Sequence, residues 1–90
     1  MLKATLETIA KIVGGTLVTT SMKDKIVEGV STDTREIQVH NLFIPLVGEK
    51  FDGHNFAFDA VKKRAVATFW DKRHPTPYLD VGIIIVDNTL

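Results

Sequence analysis

Apolar residues at Leu6, Ile9, Ala10 and Val13 recur at i, i+3, i+4 and i+7, the spacing that gathers side chains on one face of a helix. Thr5 stands where an N-cap belongs, and Gly14-Gly15 where the run should end, so a helix packed against a sheet is expected there. The pattern then turns β-branched at residues 16–20 and 26–32, with polar residues 21–25 between, which predicts a hairpin with a longer loop. Residues 42–47 form an apolar run too short for an ordinary helix and bounded by polar residues and Gly48, hence a buried strand. Pro45 has no N–H for the ladder, so it should mark an edge or an irregularity.

A second helix is expected over residues 56–64. Asn55 would cap it, and Phe56, Ala60 and Val61 would be buried. Asp59 then lies near its positive end, and Lys62, Lys63 and Arg64 near its negative end. Residues 65–70 and 82–86 follow as strands. The second (Ile83, Ile84, Ile85, Val86) is apolar enough to be buried on both faces. Together these elements predict an α/β fold. It is a small single domain over residues 1–90 with a mixed sheet of about five strands and two principal helices.

Composition narrows the class. Eleven basic residues balance eleven acidic ones, so no overall field steers the chain to nucleic acid or to an anionic membrane. Cysteine is absent, which removes disulfides and thiolate chemistry and fits the cytoplasm. No apolar run approaches the roughly 20 residues of a membrane span. His74-Pro75-Thr76-Pro77 reads as an exposed loop between two strands, and Trp70 as a plug at a strand end.

Two segments carry candidate chemistry. Residues 48–55 join a strand end, an Asp52-Gly53 turn and a helix start, which aims backbone N–H groups and a partial positive charge at one point. Gly53 would supply a backbone conformation closed to other residues, Lys50 and His54 could donate to an anion, and Phe51 could offer a ring face. The alternative is a plain strand-to-helix turn, with His54 bonded to a nearby carbonyl and Phe51 in the core. Asp33-Thr34-Arg35 sets a hydroxyl beside a guanidinium whose fork suits phosphate or carboxylate. Here too a bland reading stands, with Asp33 closing its own turn and Arg35 paired to Asp33, Glu36 or Asp52. His40, His54 and His74 have no spacing that would bring two imidazoles to one ion, so no metal site is expected. Ser21 and Ser31 sit in no nucleophile motif.

The order of these pieces, STDTREIQVHNLFIPLVGEKFDGHNF over residues 31–56, resembles the N-terminal domain of the Mur ligases, ATP-dependent amino-acid and peptide ligases of the peptidoglycan precursor. The resemblance runs from about Ile26 to Val86. It departs from the family at Thr34, where a serine is usual, at His40 or Asn41, where a glycine is usual, and at Arg64-Ala65 in place of Gly-Ala. An Asn can enter the left-handed backbone region a glycine would adopt, which makes Asn41 a tolerable replacement.

The resemblance implies that these two segments hold the uridine diphosphate of a UDP-linked muramoyl peptide. It implicates Thr32, Thr34, Glu49, Lys50 and Phe51, with Arg35 and His54 beside them. Spacing alone favours the plain turn at Asp52-Gly53, and the resemblance favours the ligand site. It further implies a fragment that binds and does not catalyse, with no cofactor of its own. ATP and magnesium would belong to central and C-terminal domains, because G-x-x-G-K-[ST] occurs nowhere in the chain. The implied branch is the one that adds D-alanyl-D-alanine to the UDP-linked tripeptide. The alternatives are the sister branch, which shares this domain type and adds a different amino acid, and a non-catalytic protein-interaction module.

Overall fold

The computed structural model describes residues 3–46, 52–77 and 79–87. Strand β1 (Lys3–Thr5) leads directly into helix α1 (Leu6–Val13), followed by β2 (Thr16–Leu17), β3 (Ile26–Glu28), β4 (Val30–Ser31) and β5 (Leu42–Phe43). Helix α2 (Ala57–Lys62), β6 (Ala67–Asp71) and β7 (Gly82–Val86) complete the order. Five strands form a mixed sheet in the order β2-β7-β6-β5-β4, parallel except for β2, and β1 and β3 form a separate antiparallel pair. This is the α/β fold with a mixed five-stranded sheet and two helices that the hydrophobic pattern predicts. Among the described residues no helix is long and apolar enough to cross a membrane.

The period-2 alternation of the strands divides the apolar residues between two cores, one on each face of the sheet. Leu42, Ala67, Ile84 and Val86 pack with Leu6, Ile9 and Ala10 of α1. Phe43, Trp70 and Ile83 pack with Ala57 and Ala60 of α2. Helix, sheet and helix thus make three layers, and β7 is buried on both sides, as its run of isoleucines implies. At the start of α1 the Thr5 hydroxyl accepts the Thr8 N–H at 3.2 Å. At its end Gly14, at φ 68°, donates to the carbonyls of Ala10 and Lys11.

The expected hairpin does not form. β2 pairs with β7, and residues 26–32 are two strands rather than one. Gly29, at φ 86°, breaks the run and sends the chain from the small sheet, where β3 pairs with β1, to the large one, where β4 pairs with β5. Strand β5 is shorter than its apolar run. Ile44 still donates to the Ser31 carbonyl at 2.9 Å, and Pro45, lacking an N–H, ends the ladder.

Helix α2 is also shorter than the expected 56–64: Phe56 belongs to a preceding 3-10 turn, Gly53–Phe56, and the helix ends at Lys62, just before Arg64 turns to φ 72°. The side-chain cap of this segment is Asp52, accepting the His54 N–H at 2.9 Å, and the side chain of Asn55 lies outside what is described. Phe56, expected in the core, is 40 % exposed.

Arg64 and His40 adopt positive φ, 72° and 68° respectively, and His40 N–H donates to the Arg64 carbonyl at 3.3 Å. The left-handed position therefore falls on His40. Asn41 instead uses its buried side chain to accept from Gln38 N–H and donate to the Glu28 carbonyl. A left-handed residue with a Cβ costs about 1–3 kcal/mol, from which a glycine's greater unfolded freedom subtracts about 0.4–1. Arg64→Gly should therefore gain about 1 kcal/mol and raise Tm by roughly 4–8 °C. Calorimetry showing an unchanged or lower midpoint would mean that the backbone there carries no strain.

Candidate functional site

Strands β4, β5, β6 and β7 run parallel, so their C-terminal ends share one edge of the sheet, where open α/β sheets receive ligands. The described segments leaving that edge are residues 32–36 after β4, 44–46 and 52–56 after β5, and 72–75 after β6. Between the first two lies a cleft of about 370 Å³ lined by Thr32, Asp33, Thr34, Arg35, Phe43 and Phe56. Its floor is the fully buried Phe43, while Phe56 is partly open to solvent.

The wall from β4 builds itself from its own side chains. Ser31 Oγ accepts the Asp33 N–H at 3.2 Å and donates to the Asp33 carbonyl at 2.9 Å. Asp33 caps the 3-10 turn Thr34–Glu36 through the Arg35 N–H and takes the Arg35 guanidinium as a fork, at 3.0 Å from Nε and 2.7 Å from Nη2. Those bonds from Arg35, side chain first and backbone second, hold the Asp33 carboxyl down to about 2. Lys63 Nζ donates to the Thr34 carbonyl at 2.9 Å and ties the end of α2 to this wall. Of the three partners open to Arg35 on the sequence, the structure selects Asp33. The Arg35 side chain stays 84 % exposed at the cleft, with its charge toward water.

On the other side of the 3-10 turn, Asp52 bridges two histidines. Its Oδ1 lies 2.7 Å from His54 Nδ1 and its Oδ2 2.6 Å from His74 Nε2, and the two rings stack with centroids 3.8 Å apart. His54 Nε2 accepts the Asp71 N–H at 3.0 Å. A ring nitrogen that accepts carries no proton, so the hydrogen-bond pattern assigns the His54 proton to Nδ1 and directs it at Asp52. Asp71 is fully buried, and its fork to Arg73 holds its carboxyl well below the usual carboxylate range. Donor atoms of Asp52, His54 and His74 lie within 4.8 Å of one another, which overturns the expectation that no two histidines reach one point. His54 nevertheless has no lone pair to offer an ion. A ligating imidazole donates with its second nitrogen, and this one accepts. The cluster works as a hydrogen-bonded clamp.

Two details of the sequence reading change. Gly53 is not in the left-handed region; a Cβ there would lie 2.7 Å from Leu46 N and 2.9 Å from Pro45 Cα, so the close approach it permits is to its own chain. The N–H groups of Gly53 and His54, expected to face an anion, are already given to the Leu46 carbonyl and to Asp52. Of the predicted residues, Thr32, Thr34 and Arg35 line the cleft, and His54 is buried with both ring nitrogens engaged. Glu49, Lys50 and Phe51 lie outside the described residues. Sequence reasoning missed Phe43 as floor, Phe56 as wall and His74 as the partner of Asp52. The Asp-x-His spacing of an Asx turn was visible, but nothing in the sequence places His74 beside it.

Asp52 gives the domain an acid limit. Burial pushes its carboxyl up, but the bonds from His74, from the His54 N–H and from the His54 ring outweigh this and bring it down to about 2. A carboxyl lowered on folding adds stability above its unfolded value of about 3.9, and that stability is lost as pH falls through the folded value. Unfolding followed by fluorescence of Trp70 should show stability dropping between about pH 4 and 2, and Asp52→Asn should make that limb shallower, with the lowered carboxyls of Asp33 and Asp71 left to account for the rest. An unchanged slope in the variant would remove Asp52 from the acid response.

The fold and the cleft define a class. The chain belongs to the Mur ligase family, whose model, described as "Mur ligase family, catalytic domain", matches residues 26–88. It is 43 % identical over 90 residues to the UDP-N-acetylmuramoyl-tripeptide--D-alanyl-D-alanine ligase of Bacillus subtilis (strain 168), covering 100 % of this chain and 20 % of that protein. A UDP-N-acetylmuramoyl-L-alanyl-D-glutamate--2,6-diaminopimelate ligase of Mesorhizobium japonicum is 33 % identical over 69 residues, 77 % of this chain and 14 % of that one. The crystal structure of MurF from Acinetobacter baumannii matches with a TM-score of 0.84 at 20 % identity, over 99 % of this chain and 19 % of that one, and so shares the fold. The chain spans about a fifth of the length of such relatives.

Proposed function

We propose that this chain is the substrate-binding portion of a longer cytoplasmic ligase of bacterial cell-wall synthesis, and that its cleft takes the uridine diphosphate end of UDP-N-acetylmuramoyl tripeptide. The longer protein would join D-alanyl-D-alanine to that tripeptide. The observation that carries this reading is the cleft at the C-terminal edge of the sheet, where Thr32, Thr34 and Arg35 meet Phe43 and Phe56. Two hydroxyls can pair with the edge of a base or a ribose, the exposed Arg35 guanidinium keeps its charge and its Nη1 N–H groups for a diphosphate while Asp33 holds its Nε–Nη2 edge, and an aromatic wall suits a flat ring. The names of the relatives at 43 % and 39 % identity support the choice of branch.

The residues present do not fit ATP, since the chain has no G-x-x-G-K-[ST] to cradle its phosphates. Ligation chemistry, with its ATP and magnesium, belongs to the central and C-terminal domains of the longer protein. This part contributes by gripping the remote end of the substrate, because binding energy gained there helps hold the reacting carboxylate in place.

Titration calorimetry of this chain with UDP should give a Kd of roughly 1 mM, about 4 kcal/mol, and no comparable signal with inorganic phosphate. Thr34→Ser should change little, whereas Thr34→Val keeps the branched shape without the hydroxyl and should weaken binding by roughly 1 kcal/mol. Equal response to UDP and phosphate, or magnesium-dependent ATP turnover by this chain, would contradict the reading.

A further inference from the structure

The loop after β6 is fixed by bonds of its own. Trp70 Nε1 donates to the Pro75 carbonyl at 2.8 Å, and Asp71 accepts the Arg73 N–H at 2.8 Å and, through its carbonyl, the His74 N–H at 3.0 Å. Trp70 also meets the edge of the His54 ring, with centroids 4.5 Å apart. His74 is thereby delivered face-on to His54 and bonded to the second oxygen of Asp52. Asp52 is the cap of the 3-10 turn that ends in Phe56, and Phe56 is a wall of the cleft. His74 itself is not among the residues lining the cleft.

We infer that His74 is a positioning residue for the ligand cleft, holding the Phe56 wall in register through Asp52 and His54 from a loop that never touches the ligand. Asp52 needs both partners for this. The turn already reaches β6 once, where His54 Nε2 accepts the Asp71 N–H, but His54 engages only Oδ1 of Asp52; the bond from His74 to Oδ2 adds a second tie, from the loop after β6 to the cap itself. The specific requirement is a donor at the place of Nε2, facing Asp52 Oδ2.

This inference rests on the uridine diphosphate reading of the cleft, and its test separates the two. In His74→Gln the amide nitrogen replaces Nε2 as donor, while His74→Phe keeps the stacked ring and removes the donor. Both are compared with the unaltered chain by UDP titration, by the backbone amide signal of Phe56 without ligand, and by the nitrogen-15 shifts of the His54 ring. His74→Phe should weaken UDP binding about fivefold, the loss expected for one charge-assisted hydrogen bond acting indirectly, and should move the Phe56 amide and the His54 ring signals. His74→Gln should restore all three to near the unaltered values. If His74→Phe folds and leaves the Phe56 and His54 signals in place, or if His74→Gln fails to restore them, the positioning role is overturned. If the unaltered chain does not bind UDP, the functional reading fails, and the ligand-free signals still decide the role of His74.

Discussion

Phe43→Ala should cost the domain about 3–5 kcal/mol, while Phe56→Ala, at the same cleft, should cost less than about 1.5. Phe43 is 1 % exposed and packed among Ile37, Ala60 and Trp70, so its removal leaves a cavity that β5, paired on both sides, cannot close. Phe56 is 40 % exposed and has less packing to lose. At roughly 0.05–0.15 kcal/mol per residue a chain of this size holds about 5–13 kcal/mol, so the first substitution removes a large share of its stability. Ligand binding should respond differently: Phe56→Ala leaves a folded protein with weakened UDP affinity. Equilibrium urea denaturation of the two variants checks the stability ranking, and equal losses would show that burial has been misassigned across the cleft.

Gly53→Ala should be nearly as damaging, at about 2–3 kcal/mol. The added Cβ would meet Leu46 N at 2.7 Å, Leu46 O at 2.9 Å and Pro45 Cα at 2.9 Å, all backbone atoms that no rotamer change can move. Gly53 N–H also donates to the Leu46 carbonyl at 2.6 Å, so relief by displacement breaks that bond. Gly14→Ala is the control. Its Cβ would meet nothing within 4 Å, and only its φ of 68° opposes the change, which should cost about 1 kcal/mol. Thermal melts of the two variants measure the difference. A milder effect at Gly53 than at Gly14 would mean that packing at the turn is looser than these distances indicate.

The amphipathic helix and the central strands were legible because their periodicity reports burial directly. Leu6, Ile9 and Ala10 line one face of α1, and Ile83 and Ile84 bury opposite faces of β7. Pairing was not legible, since β-branched runs state that a strand exists and not which neighbour it takes. The bend at Gly29 that sends residues 26–31 into two sheets leaves only a single glycine as its trace. The 3-10 turn before α2 defeated the assignment of Phe56 for a related reason: it shifts the helical phase, so a residue expected inside emerges at the cleft. In the candidate site, the Asp33–Arg35 turn could be read because its partners are two residues apart. His74 reaches Asp52 from 22 residues away, a contact that only tertiary structure creates.

A second groove, of about 690 Å³, opens at the opposite end of the parallel strands and is lined by Lys25, His40, Arg64 and Asp80 among others. The two grooves make the central claim simple to examine, because a ligand must choose an end of the sheet. Backbone amide shifts of the nitrogen-15-labelled chain, followed during titration with UDP and separately with inorganic phosphate, are the most direct measurement. Saturable shifts at Thr32, Thr34, Arg35 and Phe56 with UDP, and not with phosphate, are the expected result. Shifts confined to Lys25, His40 and Arg64, or the same pattern with phosphate alone, would contradict the assignment of the cleft to a uridine diphosphate ligand.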